Sequence, residues 1–333
     1  MSMLPWIGFL ALVLTLLALD LGVFNRRPHV VSTREALGWT AVWVALSLSF
    51  NTLVYFMYEQ HWLGIGQTVG HPLGGRQAAI EFCTAYLVEK SLSLDNIFVI
   101  ALIFAYFQVP ARLQHRVLFW GVLGALVLRG VMILAGLVFI ERFSWVVYVF
   151  GGLLIVTAIK MLVAGDEKVE PDRNPLVRLV RRVFPIVGYR EHHFVVNEGG
   201  RRAVTTLLLA LAMVESTDLL FAVDSIPAVF AVTRDPFLVF TSNVFAILGL
   251  RSLYFALAAV LEKFRYMKVS LVFILAFVGA KMILTHHYPI PALVSLTVIV
   301  TILLVGVLAS LLHSRKGRAL LSDPTHAAPE ERG

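Results

Sequence analysis

Residues 89–100 read EKSLSLDNIFVI, placing a glutamate, a lysine and an aspartate inside an otherwise apolar stretch long enough to cross a bilayer. The surroundings make this placement costly. Of the 333 residues, 59% are hydrophobic and only 15% charged, and the mean hydropathy is +0.82, whereas soluble domains carry roughly a quarter charged residues. The composition is that of a polytopic membrane protein. Runs able to span a hydrocarbon core of about 30 Å fall near 4–24, 37–58, 80–106, 117–140, 145–164, 204–233, 237–261, 269–288 and 290–312, so the expectation is an all-α membrane protein of about nine transmembrane helices. The first run lacks a basic segment ahead of it and a small-residue cleavage site, and is read as a retained helix.

The basic residues orient the bundle. With the N-terminus outside, the inner segments hold twenty of the 28 Lys and Arg residues, eight of them in 165–203, while the outer loops hold only Arg76, Arg142 and Arg234. This bias predicts N-out, C-in. The net charge of +7 is therefore read as orientation plus contact with anionic lipid, not nucleic-acid binding. In the loop, LVRLVRRVF (176–184) reads as an interfacial helix, and HHFVVNEGGRRAVTT (192–206) as two short strands about an Asn/Gly turn. The adjacent His192 and His193 read as solvated rather than metal-bound. With a single cysteine, Cys83, no intrachain disulfide and no thiolate metal cluster can form.

The remaining five basic residues, Lys90, Arg129, Lys160, Arg251 and Lys281, fall within spans. They belong to a repeat. Asp95-Asn96-Ile97 aligns with Asp224-Ser225-Ile226, and Glu89 then falls on Asp218. LVLRG (126–130) aligns with LGLRS (248–252), and TAIKMLV (157–163) with VGAKMIL (278–284). Three landmarks recur in one order at nearly one spacing, which marks a duplicated three-helix unit, spans 3–5 and 6–8. An odd number of helices per unit makes the copies run in opposite senses, an inverted-topology repeat of the kind whose binding sites form at the midplane. The organisation expected is thus two N-terminal helices (1–79), a first repeat (80–164), a basic cytoplasmic loop (165–203), a second repeat (204–288), and a last helix with its tail (289–333).

The second copy, MVESTDLLFAVDSIPAVF (213–230), adds Glu215 one turn before Asp218. Five carboxylates in two spans cannot face lipid, where each costs about 2.5–3.5 kcal/mol. They must face inward and be neutralised by protons, by basic residues or by a cation. Six residues along an unbroken helix leave Glu89 and Asp95 about 120° apart, and likewise Asp218 and Asp224, so Pro227 is expected to break its helix beside Asp224 and re-aim that side chain. The ligand set Glu89, Asp95, Glu215, Asp218 and Asp224, with Asn96 and Ser225, is all oxygen, which suits hard divalent cations. A crowded set of carboxylates holds protons when empty, so metal binding releases them and metal/proton exchange is the natural coupling. Asp20 and Asn243 are secondary candidates. Arg129 and Arg251 are read as counter-charges, Lys90 as paired with a nearby carboxylate, and Lys160 and Lys281 as snorkelling to the interface. Glu59 is expected at the outer interface.

EKSLSLDNIFVI together with ESTDLLFAVDSIPAVFAVTRDPFLVFTSNVFAILGLRSLYF (215–255) resembles the TerC family of integral membrane proteins, over about 22–312. The resemblance implies a LysE-like transporter architecture, a bacterial inner-membrane location, Mn²⁺ efflux, and a metal site at the five acids. The family is also linked to tellurium resistance and to supplying metal to exported proteins. Such a chain needs lipid, a divalent cation and protons as partners and no resident cofactor. No enzyme is expected, since G-x-G-D, H-E-x-x-H and G-x-S-x-G are missing. Transport of an anionic or organic substrate such as tellurite, with Arg129 and Arg251 forming the pocket, stays open as the alternative.

Overall fold

The structure is a computed structural model that describes all residues except 1–2, 23–31, 68–72, 164–170, 191–192, 199, 259–264, 286–287, 289 and 322–333, and except the side chains of 20–22, 173, 258, 265–267, 311 and 313–321. His192, most of the acidic opening of the long loop, the side chain of Asp20 and the end of the basic tail lie outside the described residues.

Helices dominate. In chain order they are α1 (Leu4–Gly22), α2 (Thr33–Glu59), α3 (Gly75–Tyr106), α4 (Ala111–Arg142), α5 (Val146–Val163), α6 (Pro175–Val183), α7 (Thr206–Phe230), α8 (Pro236–Leu248), α9 (Leu250–Ala258), α10 (Arg265–Leu284) and α11 (Ala292–Leu321). Among the described residues, six stretches are long and apolar enough to cross a membrane: α2, α4, α5, α7, α8 continuing into α9 (Pro236–Leu257), and Ala292–Ser310 of α11. The 32-residue α3 extends about 48 Å at 1.5 Å per residue, but five ionisable groups dilute its apolar character. The apolar part of α1 (Leu4–Leu19) is short.

Local sequence explains the helix starts. Ser32 accepts the Glu35 amide at 3.3 Å at the head of α2, and Asp235 accepts Phe237 and Leu238 amides at 2.9 and 3.1 Å ahead of Pro236 on α8. Each satisfies donors that a helix start leaves open. At α3, Glu59 from the end of α2 does this across space, accepting the Gly75 amide at 2.9 Å, which accounts for an exposed acid at that end of the bundle.

The loop between α5 and α7 adds a small sheet to the helical fold. Its order is β1 (Ile186–Val187), β3 (Arg201–Thr205), β2 (Val195–Glu198), with β2 and β3 antiparallel, as the turn residues indicate, and β1 parallel to β3. Tyr189 donates to the Phe107 carbonyl at 2.7 Å, and the Arg116 guanidinium lies 5.3 Å from the Phe194 ring, fixing the sheet to the α3–α4 turn. The arginine-rich segment forms α6. Its cap, Asn174, accepts amides from Leu176 and Val177 and donates to Ser216 Oγ of α7 at 2.7 Å. Asn174→Ala removes both the cap and this tether; the expected cost is about 1 kcal/mol, visible as faster amide exchange over 171–184 with unchanged exchange in α3.

Glycines set the closest approaches. On α4, a methyl at Gly121 would meet Val214 at 3.2 Å, one at Gly124 would overlap the Glu215 carboxylate, and Gly130 and Gly136 face Phe240 and Phe230. All four face α7 or α8, so they serve packing within the chain. Gly151 of α5 and Gly279 of α10 meet backbone to backbone: a methyl on either would lie 3.0 or 2.9 Å from the other's carbonyl oxygen. Gly279→Leu forces these helices apart, and overpacking of this kind costs about 1–3 kcal/mol; thermal unfolding of purified protein measures it.

Candidate functional site

Continuous helices divide four of the five acids between two places. The break expected at Pro227 does not occur: α7 runs through it and ends three residues later at Phe230. Sitting in the last turn, the proline costs only the one hydrogen bond that its missing N–H would have made to the Val223 carbonyl. Because α3 is also continuous across 89–95, the 120° between acids six residues apart is kept, and each helix aims its two acids at different neighbours.

The first place is Arg129. Its guanidinium donates to Asp218 through Nε at 3.1 Å and Nη2 at 3.0 Å, a two-pronged pairing, while Nη1 bonds Glu89 and also reaches Ser225 Oγ at 3.2 Å. Arg129 and Glu89 are buried, at 2% and 0% exposure, so in this setting the planar fork is well matched to two carboxylates at once. The two acids joined here are those that the sequence alignment makes equivalent. Glu215 stands outside this cluster, wedged against Gly124 of α4, with Oε2 buried and making no hydrogen bond among the described residues.

The second place is a cavity of about 440 Å³ between α3, α5, α7 and α10, lined by Asp95, Asn96, Thr157, Lys160, Thr217, Asp224 and Lys268 among apolar side chains such as Leu92 and Leu275. Thr157 donates to Asp224 Oδ1 at 2.9 Å. Asp95 and Asp224, which the sequence alignment makes equivalent, thus share one cavity together with two lysines. The lysines were not expected there. Lys160 reads from sequence as an interfacial residue, and Lys268 as part of an inner loop; their proximity to the acids is a tertiary fact with no local signal.

Two other expectations change. Among the described residues Lys90 pairs with no carboxylate; its Nζ donates to the Ala246 carbonyl at 3.1 Å, near the end of α8, where the helix is interrupted at Gly249 and leaves carbonyls open. Lys281 does not snorkel and is buried at 7% exposure. Arg251 is buried on α9, and Asn243 is buried on α8, both outside the lining of the cavity. Among the described residues no three His, Cys, Asp or Glu side chains cluster in a way that would hold a metal ion by themselves.

Comparison with known proteins places this arrangement. Residues 74–318 match the model described as "Integral membrane protein TerC family", a span that includes both sites. The chain belongs to the TerC family. It is 50% identical over 311 residues to "Uncharacterized membrane protein STKORF319" of Myxococcus xanthus, covering 93% of this chain and 92% of that one. It is 46% identical over 300 residues to "Putative membrane-bound redox modulator Alx" of Escherichia coli K12, covering 90% and 91%. A Rickettsia bellii membrane protein is 38% identical over 309 residues, covering 92% and 97%. No solved structure matches the chain significantly. This TerC chain is therefore a multi-pass integral membrane protein with bacterial relatives.

Proposed function

We propose that this chain is a secondary transporter, not an enzyme, that exports a hard divalent cation from the cytoplasm across the bacterial inner membrane in exchange for protons. The observation that carries the reading is the convergence of Asp95 and Asp224 on one cavity. These carboxylates, with the side-chain oxygens of Asn96, Thr157 and Thr217, offer an all-oxygen lining of the type that Mn²⁺, Mg²⁺ and Ca²⁺ prefer. Lys160 and Lys268 act there as tethered cations, balancing the two acids until the transported ion displaces them. Glu89 and Asp218 are held by Arg129 as scaffold. The choice of Mn²⁺ rests on the resemblance to the family's manganese exporters.

Nine spans, N-out and C-in, with an inverted repeat of spans 3–5 and 6–8, complete the proposal. Three pairings support it. Glu89 and Asp218 share Arg129, Asp95 and Asp224 share a cavity, and α5 and α10, which carry the equivalent Lys160 and Lys281, pack together at Gly151 and Gly279. Each joins an element to its own counterpart, as a two-fold axis in the membrane plane would.

Mn²⁺ flux in proteoliposomes with an internal pH dye tests the function. The expected result is Mn²⁺ movement with protons moving the other way. The two lysines of the cavity favour a second reading, an oxyanion such as tellurite; tellurite flux that ignores Mn²⁺ and persists in Asp95→Asn would put it in first place.

A further inference from the structure

A second group of buried ionisable side chains lies away from both sites, at the end of the bundle where α2 and α7 finish and α3 and α8 begin, the end that the charge bias places outside. Asp235, 1% exposed, caps α8 through Oδ1, which also accepts the Tyr58 hydroxyl at 2.8 Å. Its other oxygen, Oδ2, is buried and has no hydrogen-bond partner among the described residues. Glu81, 7% exposed, lies within charge range of both Asp235 and the buried Lys281, with Thr233 beside it and Gln77 donating to it at 2.9 Å.

Among the described residues the charges do not balance. From α2 the group is faced by Tyr58, from α3 by Glu81, from α10 by Lys281, and the neighbouring Arg234 is exposed. Two carboxylates thus stand against one ammonium among the described residues, and all three are buried. An uncompensated buried charge is far more costly than one extra proton, and neighbouring acids cannot both ionise easily. Burial pushes the Asp235 carboxyl up, against the lowering effect of its hydrogen bonds from Tyr58, Leu238 and Phe237. A protonated Oδ2 also turns an orphaned acceptor into a donor.

We propose that Glu81 and Asp235 hold one proton between them and form a proton-loading site at the outer end of the bundle, about 21 Å along α3 from Asp95. The role as an outer station for the counter-ion rests on the exchange reading above; the shared proton does not. Because the pair is coupled, the proton belongs to both residues, and loss of either carboxylate releases it. Lys281 fixes the stoichiometry at one.

Infrared difference spectroscopy of the metal-free protein in lipid nanodiscs at pH 7 tests this. The wild type should show a protonated-carboxyl C=O band that shifts in D₂O and that is lost in both Glu81→Gln and Asp235→Asn. Asparagine caps helices as well as aspartate, and Asp235→Ser serves as a second capping variant if Asp235→Asn does not fold. A band that survives both substitutions, or a wild type without any such band, overturns the proposal. Since no metal is present, that outcome leaves the transport reading standing, while a band of the expected behaviour in a protein without Mn²⁺ flux removes the transport reading alone.

Discussion

Replacing Arg129 by leucine should destabilise the protein by about 3–5 kcal/mol, the usual cost of leaving buried charges without their partner, and should strip the bundle of activity. Two carboxylates depend on this one guanidinium. Glu89 is fully buried, and Asp218 receives two of the arginine's hydrogen bonds, so the substitution strands both. Arg129→Lys should fall between, because a lysine retains the charge but cannot pair with Asp218 in two-pronged fashion while also reaching Glu89. The neutral combination Arg129→Leu, Glu89→Gln, Asp218→Asn should recover most of the lost stability, since replacing a whole buried charge network is often nearly neutral. Thermal unfolding in detergent distinguishes these cases. A leucine variant that melts with the wild type would mean that the two acids are already protonated and that Arg129 is not their counter-charge.

The membrane character was legible because it is written in local chemistry, the length of the apolar runs, while the three landmarks at one spacing mark a repeat in the sequence alone. The acids were legible one by one, and so was the 120° between Glu89 and Asp95. What misled was the assumption that all five must serve one ion, which required a break at Pro227. Two unbroken helices satisfy the same geometry by serving two sites. The division could not be read from the sequence because it depends on α4 and α5: whether Arg129 reaches one acid or two, and whether Lys160 turns inward, follows from tertiary packing. Lys90 shows the same limit, since its partner is a backbone carbonyl on α8 that exists only because that helix stops at Gly249. The Glu81–Asp235 group, 154 residues apart in sequence, had no pattern to mark it.

Asp95→Asn and Asp224→Asn should each reduce Mn²⁺ flux at least about 100-fold while leaving the unfolding temperature near that of the wild type. The two halves of this expectation have different causes. Both acids line a cavity rather than close-packed core, and asparagine keeps the shape and the acceptor oxygen, so little packing is disturbed; in Asp224→Asn the amide oxygen still accepts from the Thr157 hydroxyl. Loss of charge, in contrast, removes one of the two negative charges on which a divalent ion relies, and a lost charged interaction in a low-dielectric site is worth about 3 kcal/mol or more, which is the 100-fold. The proposed repeat makes the prediction sharper: equivalent residues in one cavity should fail to about the same degree, and the double variant should be no worse than either single one, because the ion is already lost. Thr157→Val, which removes only a hydroxyl from the same lining, should reduce flux by less than about 10-fold. Flux that survives in both aspartate variants would assign the cavity to Lys160 and Lys268, and hence to an anion.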